Sequence, residues 1–329
     1  MKNIIYLLAL LMAVGCTTGI KPTSDTKGAF LNFQKPEENP IMSADSSYTF
    51  LCPIKNEVVQ WQKADVFNPA AIVKDNKIHM LFRAEDNPEA ILGGRTSRIG
   101  LATSEDGLYV MAYTSWNNDV ARLSIAHSTD LINWEKKGPA FASAYEGKFL
   151  DRWSKSGSII TKLEGENQVV VKIDGKYWMY WGEQFINLAW SENLYDWYPT
   201  LDDKGELKAI IETRPGYFDS MLTECGPPAV ITEEGIVLLY NGKNSDNDDA
   251  SPDLPRGTYS VGKIVFDPAD PEEVLFRSDT CLLRPTLSHE LTGQYKSGTT
   301  FAEGLVYYNS RWFLYYGTAD SYVGVAISE

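Results

Sequence analysis

The side chains best suited to metal or thiol chemistry are few in this chain and poorly spaced for it. His79, His127 and His289 stand far apart with no His-Glu-x-x-His or similar spacing, which argues against a histidine metal site. Cys52, Cys225 and Cys281 are an odd number at wide intervals; they form neither a CxxC pair nor a disulfide framework and read as buried free thiols. The acidic run at 246–253 lacks the glycine and glutamate of an EF-hand loop and reads as a solvated turn. What the chain has in quantity is carboxylate, guanidinium and aromatic surface: 44 Asp and Glu, 9 Trp and 18 Tyr. Gathered in one pocket, rings cover sugar faces while carboxylates and arginines bond hydroxyls. Carbohydrate is the ligand this chemistry favours, and neither a metal nor a cofactor is implied.

A repeat supplies the elements that must position these groups. A strand-like apolar run ending in an aromatic residue is followed by a polar turn and a second strand, often closed by a Ser-acid turn and Trp. Copies lie at 78–83 with 98–107, 109–114 with 123–134, 177–182 with 188–197, 236–242 with 260–266, and 311–317 with 323–328. Five aromatic and β-branched hairpins with almost no helix-period segment predict an all-β fold, a five-bladed β-propeller. About forty residues separate Trp134 from Tyr177 and Trp197 from Ile236, whereas Gly107 and Tyr109 nearly touch in sequence. Either blades one and two are joined by an unusually short connection or roughly 35 to 40 residues expected from the repeat are absent there, and we favour absence.

The net charge of -14 and pI near 4.8 exclude nucleic acid as a general partner, because polyphosphate binding needs clustered Lys and Arg. The N-terminus has its own pattern. Lys2, the apolar run 4–14 and Ala13-Val14-Gly15-Cys16 resemble a lipoprotein signal peptide with a lipobox. We therefore expect a signal peptide at 1–15, a tether at 16–38 beginning with a lipidated Cys16, and a single glycosidase-like propeller at 39–329. The protein is expected to be an exported lipoprotein of the bacterial cell envelope that meets the membrane only through that anchor.

Several stretches go further: Phe67-Asn68-Pro69 with Arg83-Ala84-Glu85-Asp86, then 97–107, Glu224-Cys225-Gly226-Pro227-Pro228 leading to Tyr240-Asn241-Gly242, and Tyr316-Gly317-Thr318-Ala319-Asp320. In order and spacing they resemble glycoside hydrolase family 130, five-bladed propellers that include mannoside phosphorylases and β-1,2-mannosidases. The resemblance places Asn68, Arg83 and Asp320 in the innermost sugar subsite, with Arg98 beside them. Structural alternatives stand next to these roles: an ion pair of Arg83 with Glu85 or Asp86, a turn at Asn68 or Asp320, and an ordinary ion pair of Arg98.

Two departures from the family pattern separate its subclasses. Phosphorylases hold phosphate with an Arg after the third-blade strand and a Tyr-His-Gly in the fourth; here Gly182 and Tyr240-Asn241-Gly242 stand at those positions. Lys155 falls near another anion-binding position and, with Tyr240, counts as a substrate-binding candidate. Glu183 and Glu224 take the place where hydrolases carry carboxylates, and either could be the general base of an inverting glycosidase, which needs about 6.5–9.5 Å between its two carboxyl groups. They could equally be a turn glutamate and a loop hydrogen-bond partner. The family's general acid lies in a Glu-Asp-Pro-Arg segment, and no Asp-Pro-Arg occurs in this sequence; Asp86, Asp119 and Asp151 are possible substitutes. The expected activity is inverting, metal-free hydrolysis of β-mannosides or related glycans, impaired if nothing replaces that acid. A mannoside phosphorylase and a non-catalytic glycan-binding lipoprotein are the alternatives.

Overall fold

The computed structural model describes residues 32–52, 56–87, 89, 101–105 and 107–328, with the backbone alone at 101–105. Cys16, the segment 1–31 and Arg98 lie outside the described residues. Strands dominate, and they form the five blades of a propeller around a central channel. Tight turns follow from local sequence: Asp75-Asn76, Asp174-Gly175 and Asn309-Ser310 all have positive φ at both central residues, the two-residue connection whose twist suits a hairpin. The Ser-acid-Trp element recurs as a defined structure. In one blade the Ser128 hydroxyl accepts the N–H groups of Asp130 and Leu131 while Trp134 Nε1 donates to Leu131 O; in the next, Ser191, Asn193, Leu194 and Trp197 repeat the pattern.

Blade three contains Gly157–Glu164, Lys176–Trp181 and Ile186–Ser191, with short outer strands Tyr198–Pro199 and Ala209–Ile211. Blade four runs Ala229–Thr232, Gly235–Lys243, Tyr259–Phe266, Val274–Arg277, and Leu222–Cys225 pairs with the channel end of its second strand. Blade five runs Phe301–Tyr308, Arg311–Thr318, Tyr322–Ser328 and is completed from the other end of the chain by Phe33–Gln34, with Phe33 opposite Ser328. Lys35 then ion-pairs with buried Glu290 at 2.7 Å, and the Asn39 amide clasps the Val325 backbone. These contacts correct the expected boundary: the last part of the segment read as tether, from Phe33, is structural, because it satisfies the open edge of the final sheet.

Blades one and two bring a second correction. Leu101–Glu105, read from the repeat as the partner of the 78–83 strand, pairs instead with Leu108–Trp116, Glu105 opposite Leu108. It becomes the first strand of a sheet continued by Ala121–Ser128 and Glu135–Pro139. A connection of two residues makes the local hairpin the accessible antiparallel pairing, while the other edge of Leu101–Glu105 meets Asn167–Val170 in parallel, Ser104 opposite Val169. Among the described residues blade one is the hairpin Asp65–Lys74 and Lys77–Glu85. The core lies between blades, as separate apolar clusters. Trp181, Trp197, Phe141, Met179 and Leu123 fill the seam between blades two and three, whereas the seam between blades one and two holds buried Ile72 and Tyr109 under Leu131 and Trp134. The thiols of Cys52, Cys225 and Cys281 are free; Cys225 alone is fully buried.

Candidate active site

A cavity of about 990 Å³ opens at one end of the channel, and Asn68, Arg83, Lys155, Glu183, Glu224 and Asp320 all line it. Sequence positions spread over more than 250 residues thus converge because each blade delivers its inner strand or turn to the axis. Backbone bonds lash three of these segments together. The chain leaves strand Lys176–Trp181 at Gly182, whose φ of 129° turns it toward the channel, and Gly182 N–H donates to Lys155 O at 3.0 Å. Two residues on, Gln184 O accepts both the N–H and the hydroxyl of Thr223. Glu183, Lys155 and Glu224 are held side by side as a result.

Their side chains form one assembly. Lys155 Nζ lies 3.0 Å from Glu183 Oε1 and 3.5 Å from Glu224 Oε1. The Trp153 indole N–H donates to Glu183 Oε2 at 2.8 Å, and Ser156 Oγ donates to Glu224 Oε1. Burial pushes the Glu224 carboxyl above its ordinary range, Lys155 pulls it back and Glu183 repels it. Burial would lower the Lys155 ammonium, but Glu224 and Glu183 together outweigh it and hold the lysine charged. Such a group can bind a water between two carboxylates and take a proton from it.

The opposite wall comes from blades one and five. The strand Asp65–Lys74 bulges at Asn68, so that Phe67 faces Arg83 and Ala70 faces Leu81, and Asn68 adopts φ 53°. Arg83 bonds Glu85 at 2.6 Å and stands 4.5 Å over the Phe67 ring, yet remains at the channel; the ion pair expected as an alternative coexists with a channel position. Asp320 sits at φ 55° in the turn between the last two strands of blade five. Burial raises its carboxyl to about 6, with Arg83 and Lys155 opposing and Glu85 adding to the shift.

Tyr240 is not brought to this cavity. Its ring is fully buried between blades, and its hydroxyl donates to Asp219 at 2.5 Å and accepts from Arg277 at 3.3 Å. The reading of Tyr240 as substrate-binding is therefore corrected: its position on strand Gly235–Lys243 points it into the sheet-to-sheet core. Nor do the suggested acids Asp86, Asp119 and Asp151 line the cavity. Asp119 lies in an exposed turn, and Asp151 is an exposed partner of Arg122. The sequence reading missed Trp153, Tyr259, Tyr295 and Glu303, which do line it. Glu303 carried a signal, since an acidic residue interrupts the apolar pattern of strand Phe301–Tyr308. Among the described residues no group of three or more His, Cys, Asp or Glu side chains is arranged to hold a metal ion.

The family profile described as β-1,4-mannooligosaccharide phosphorylase (Glyco_hydro_130) matches residues 101–329. The chain belongs to glycoside hydrolase family 130. It is 30% identical over 307 residues to the 1,2-β-oligomannan phosphorylase of Thermoanaerobacter sp. (strain X514), covering 82% of this chain and 92% of that protein. A solved structure of a putative glycosidase from Bacteroides thetaiotaomicron VPI-5482 superimposes with a TM-score of 0.88 at 46% identity, over 92% of this chain and 98% of that one. Another, from work describing family 130 glycoside hydrolases that target β-1,2 mannosidic linkages in Candida mannan, gives a TM-score of 0.87 at 43% identity, over 91% and 94%. As a family 130 member the chain is a carbohydrate-active enzyme on a five-bladed propeller.

Proposed function

We propose that this family 130 protein hydrolyses β-mannosides, with the non-reducing sugar held by Asn68, Arg83 and Asp320 and the attacking water activated at Glu183 and Glu224. The observation that carries this reading is the Glu183–Lys155–Glu224 assembly. Both carboxylates touch the same lysine, so the cation that could have met a phosphate is already neutralised. Two further features disfavour phosphate. A side chain cannot be added at Gly182, where a Cβ would stand 2.2 Å from Phe185 O, so no arginine fits there on this backbone. Asn241 is engaged on both sides of its amide by the Ala302 backbone, at 2.7 and 3.0 Å. A dianion entering a channel beside Glu183, Glu224 and Asp320 meets repulsion.

In this mechanism the water oxygen attacks the anomeric carbon from the face opposite the leaving oxygen, the glycosidic C–O bond breaks with inversion of the centre, and the departing oxygen takes its proton from solvent in the open channel. The water's proton passes to Glu224, whose carboxyl burial raises above its ordinary range, while Glu183, fixed by Trp153 and Lys155, orients the water. The phosphorylase reading keeps one support of its own, since two relatives of the chain, both from Thermoanaerobacter sp. (strain X514), are a 1,2-β-oligomannan phosphorylase and a β-1,2-mannobiose phosphorylase. Product analysis decides between them: free mannose released at the same rate with or without phosphate supports hydrolysis, and phosphate-dependent formation of mannose 1-phosphate overturns it. The leader pattern supports export with a lipid on Cys16; loss of fatty-acid labelling in Cys16→Ser is the expected result, and unlabelled wild-type protein would refute it.

A further inference from the structure

Glu303 is a channel side chain to which the hydrolytic mechanism gives no task. It sits at a bulge of the inner strand of blade five: Ala302 faces Tyr316 and Gly304 faces Tyr315, leaving Glu303 without an opposite number. A bulge re-aims the extra residue, and here two neighbours fix the direction. On one side the Asn241 amide clamps Ala302, and Asn241 is the strand partner of Glu224. On the other, Gly304 approaches blade one so closely that a Cβ would lie 3.0 Å from Pro69 O, beside the bulge that carries Asn68. Glu303 therefore lies between the Glu224 wall and the Asn68 wall, lining the cavity, with Oε2 buried and without a hydrogen-bond partner among the described residues.

A buried carboxylate without a donor or an adjoining cation is costly. Among the described residues three cations line the cavity; Lys155 is engaged by Glu183 and Glu224 and Arg83 by Glu85, while Lys136 is not among the charges that act on Glu303. We propose that Glu303 is a positioning residue that carries its proton on Oε2 and donates it in a hydrogen bond to a hydroxyl of the sugar seated against Asn68, Arg83 and Asp320. The charged groups that face it are Glu224, Asp320, Lys155 and Arg83; burial raises its carboxyl well above the ordinary range, the first two add to that and the last two oppose it. The floor of the site thus presents a neutral donor, which suits a sugar hydroxyl. This inference rests on the sugar subsite proposed above, and the test separates the two.

The probe is mannose, which the enzyme cannot turn over, titrated calorimetrically into the intact mature protein, with thermal melts to verify folding. Glu303→Gln keeps a donor and should bind within about 3-fold of wild type, while Glu303→Ala should weaken binding by about 10-fold. Wild-type affinity should fall as the pH is raised from 7 through 10, and that fall should be absent in Glu303→Gln. Unchanged affinity in Glu303→Ala, or Glu303→Gln as weak as Glu303→Ala, overturns the proposal while leaving the subsite intact if Arg83→Ala still abolishes binding. Unchanged affinity in both Arg83→Ala and Asp320→Asn removes the subsite and the proposal together. If Glu303→Gln binds mannose normally but loses hydrolysis of β-1,2-mannobiose and not of an aryl mannoside with a good leaving group, Glu303 is the proton donor, and the positioning role is wrong.

Discussion

The two walls of the channel are built on unequal foundations. Glu183, Lys155 and Glu224 project from blades three and four, whose flanking seams are packed with Trp181, Trp197, Phe141 and Met179 on one side and Tyr180, Tyr240, Phe218 and Phe266 on the other. Asn68 and Arg83 project from the blade-one hairpin, whose seam toward blade two buries Ile72 and Tyr109, though its seam toward blade five adds Ala71, Val73 and Val306. The contrast matches the demands of the two tasks. Activating a water needs carboxylates fixed to within fractions of an ångström, whereas holding a sugar through hydroxyl contacts tolerates adjustment. Each wall can therefore be broken separately, with a different signature.

The largest effect is expected from the carboxylate wall. Glu224→Gln should lower turnover of a β-mannoside by about 10²- to 10⁴-fold, the range for loss of a general base, with mannose affinity nearly unchanged. Glu183→Gln should follow it. Unchanged turnover in both variants would remove the base assignment. Next in size is the packing beneath that wall. Trp197 is fully buried, and Trp197→Ala should cost roughly 3–5 kcal/mol of stability, against about 2 kcal/mol for Ile72→Ala in the thinner seam. Denaturant midpoints compare the two directly, and equal losses would erase the difference between the walls.

Much of this contrast could be read before the structure, and the parts that could not have physical reasons. The blades were legible because their hairpins alternate and end in aromatic residues, and because Ser-x-x-Leu-x-x-Trp repeats as a local hydrogen-bonded unit at Ser128 and Ser191. Asn68, Arg83, Glu183, Glu224 and Asp320 were legible through family resemblance, and the structure brings all five to one cavity. Tyr240 misled because strand position alone does not say which face of a sheet looks into the channel; a one-residue change reverses it. The pairing of Leu101–Glu105 with the following strand depends on loop length rather than on the repeat, and Glu303 depends on a bulge, which leaves little trace in the pattern of a single sequence.

The lysine between the two carboxylates offers a finer test of the same wall. Lys155 draws the Glu224 carboxyl downward against burial and against Glu183. In Lys155→Met that pull is gone, so Glu224 must titrate at higher pH. Because the base works only when ionised, the acid limb of the pH–rate profile should move upward, with a loss of about 10-fold near neutrality for each pH unit of displacement. A profile that drops uniformly without moving would mean that Lys155 acts on the substrate rather than on Glu224.

The smallest effect belongs to the sugar-holding wall, and it has opposite signs in two measurements. Burial holds the Asp320 carboxyl up to about 6, against the pull of Arg83 and Lys155, compared with about 3.9 in an unfolded chain. The folded protein therefore binds this proton more tightly than the unfolded chain does. The Asp320 contribution to stability is complete below pH 4 and declines as the pH rises through 6. Sugar binding runs the other way, since only the ionised carboxylate accepts from two hydroxyls at once. Wild-type affinity for mannose should fall several-fold from pH 7 to pH 5, and Asp320→Asn should bind weakly with no such slope. The same variant should melt higher than wild type at pH 7, where it removes a buried charge, and this advantage should vanish by pH 4. A variant that loses both affinity and stability at pH 7 would show that Asp320 holds the turn rather than the sugar.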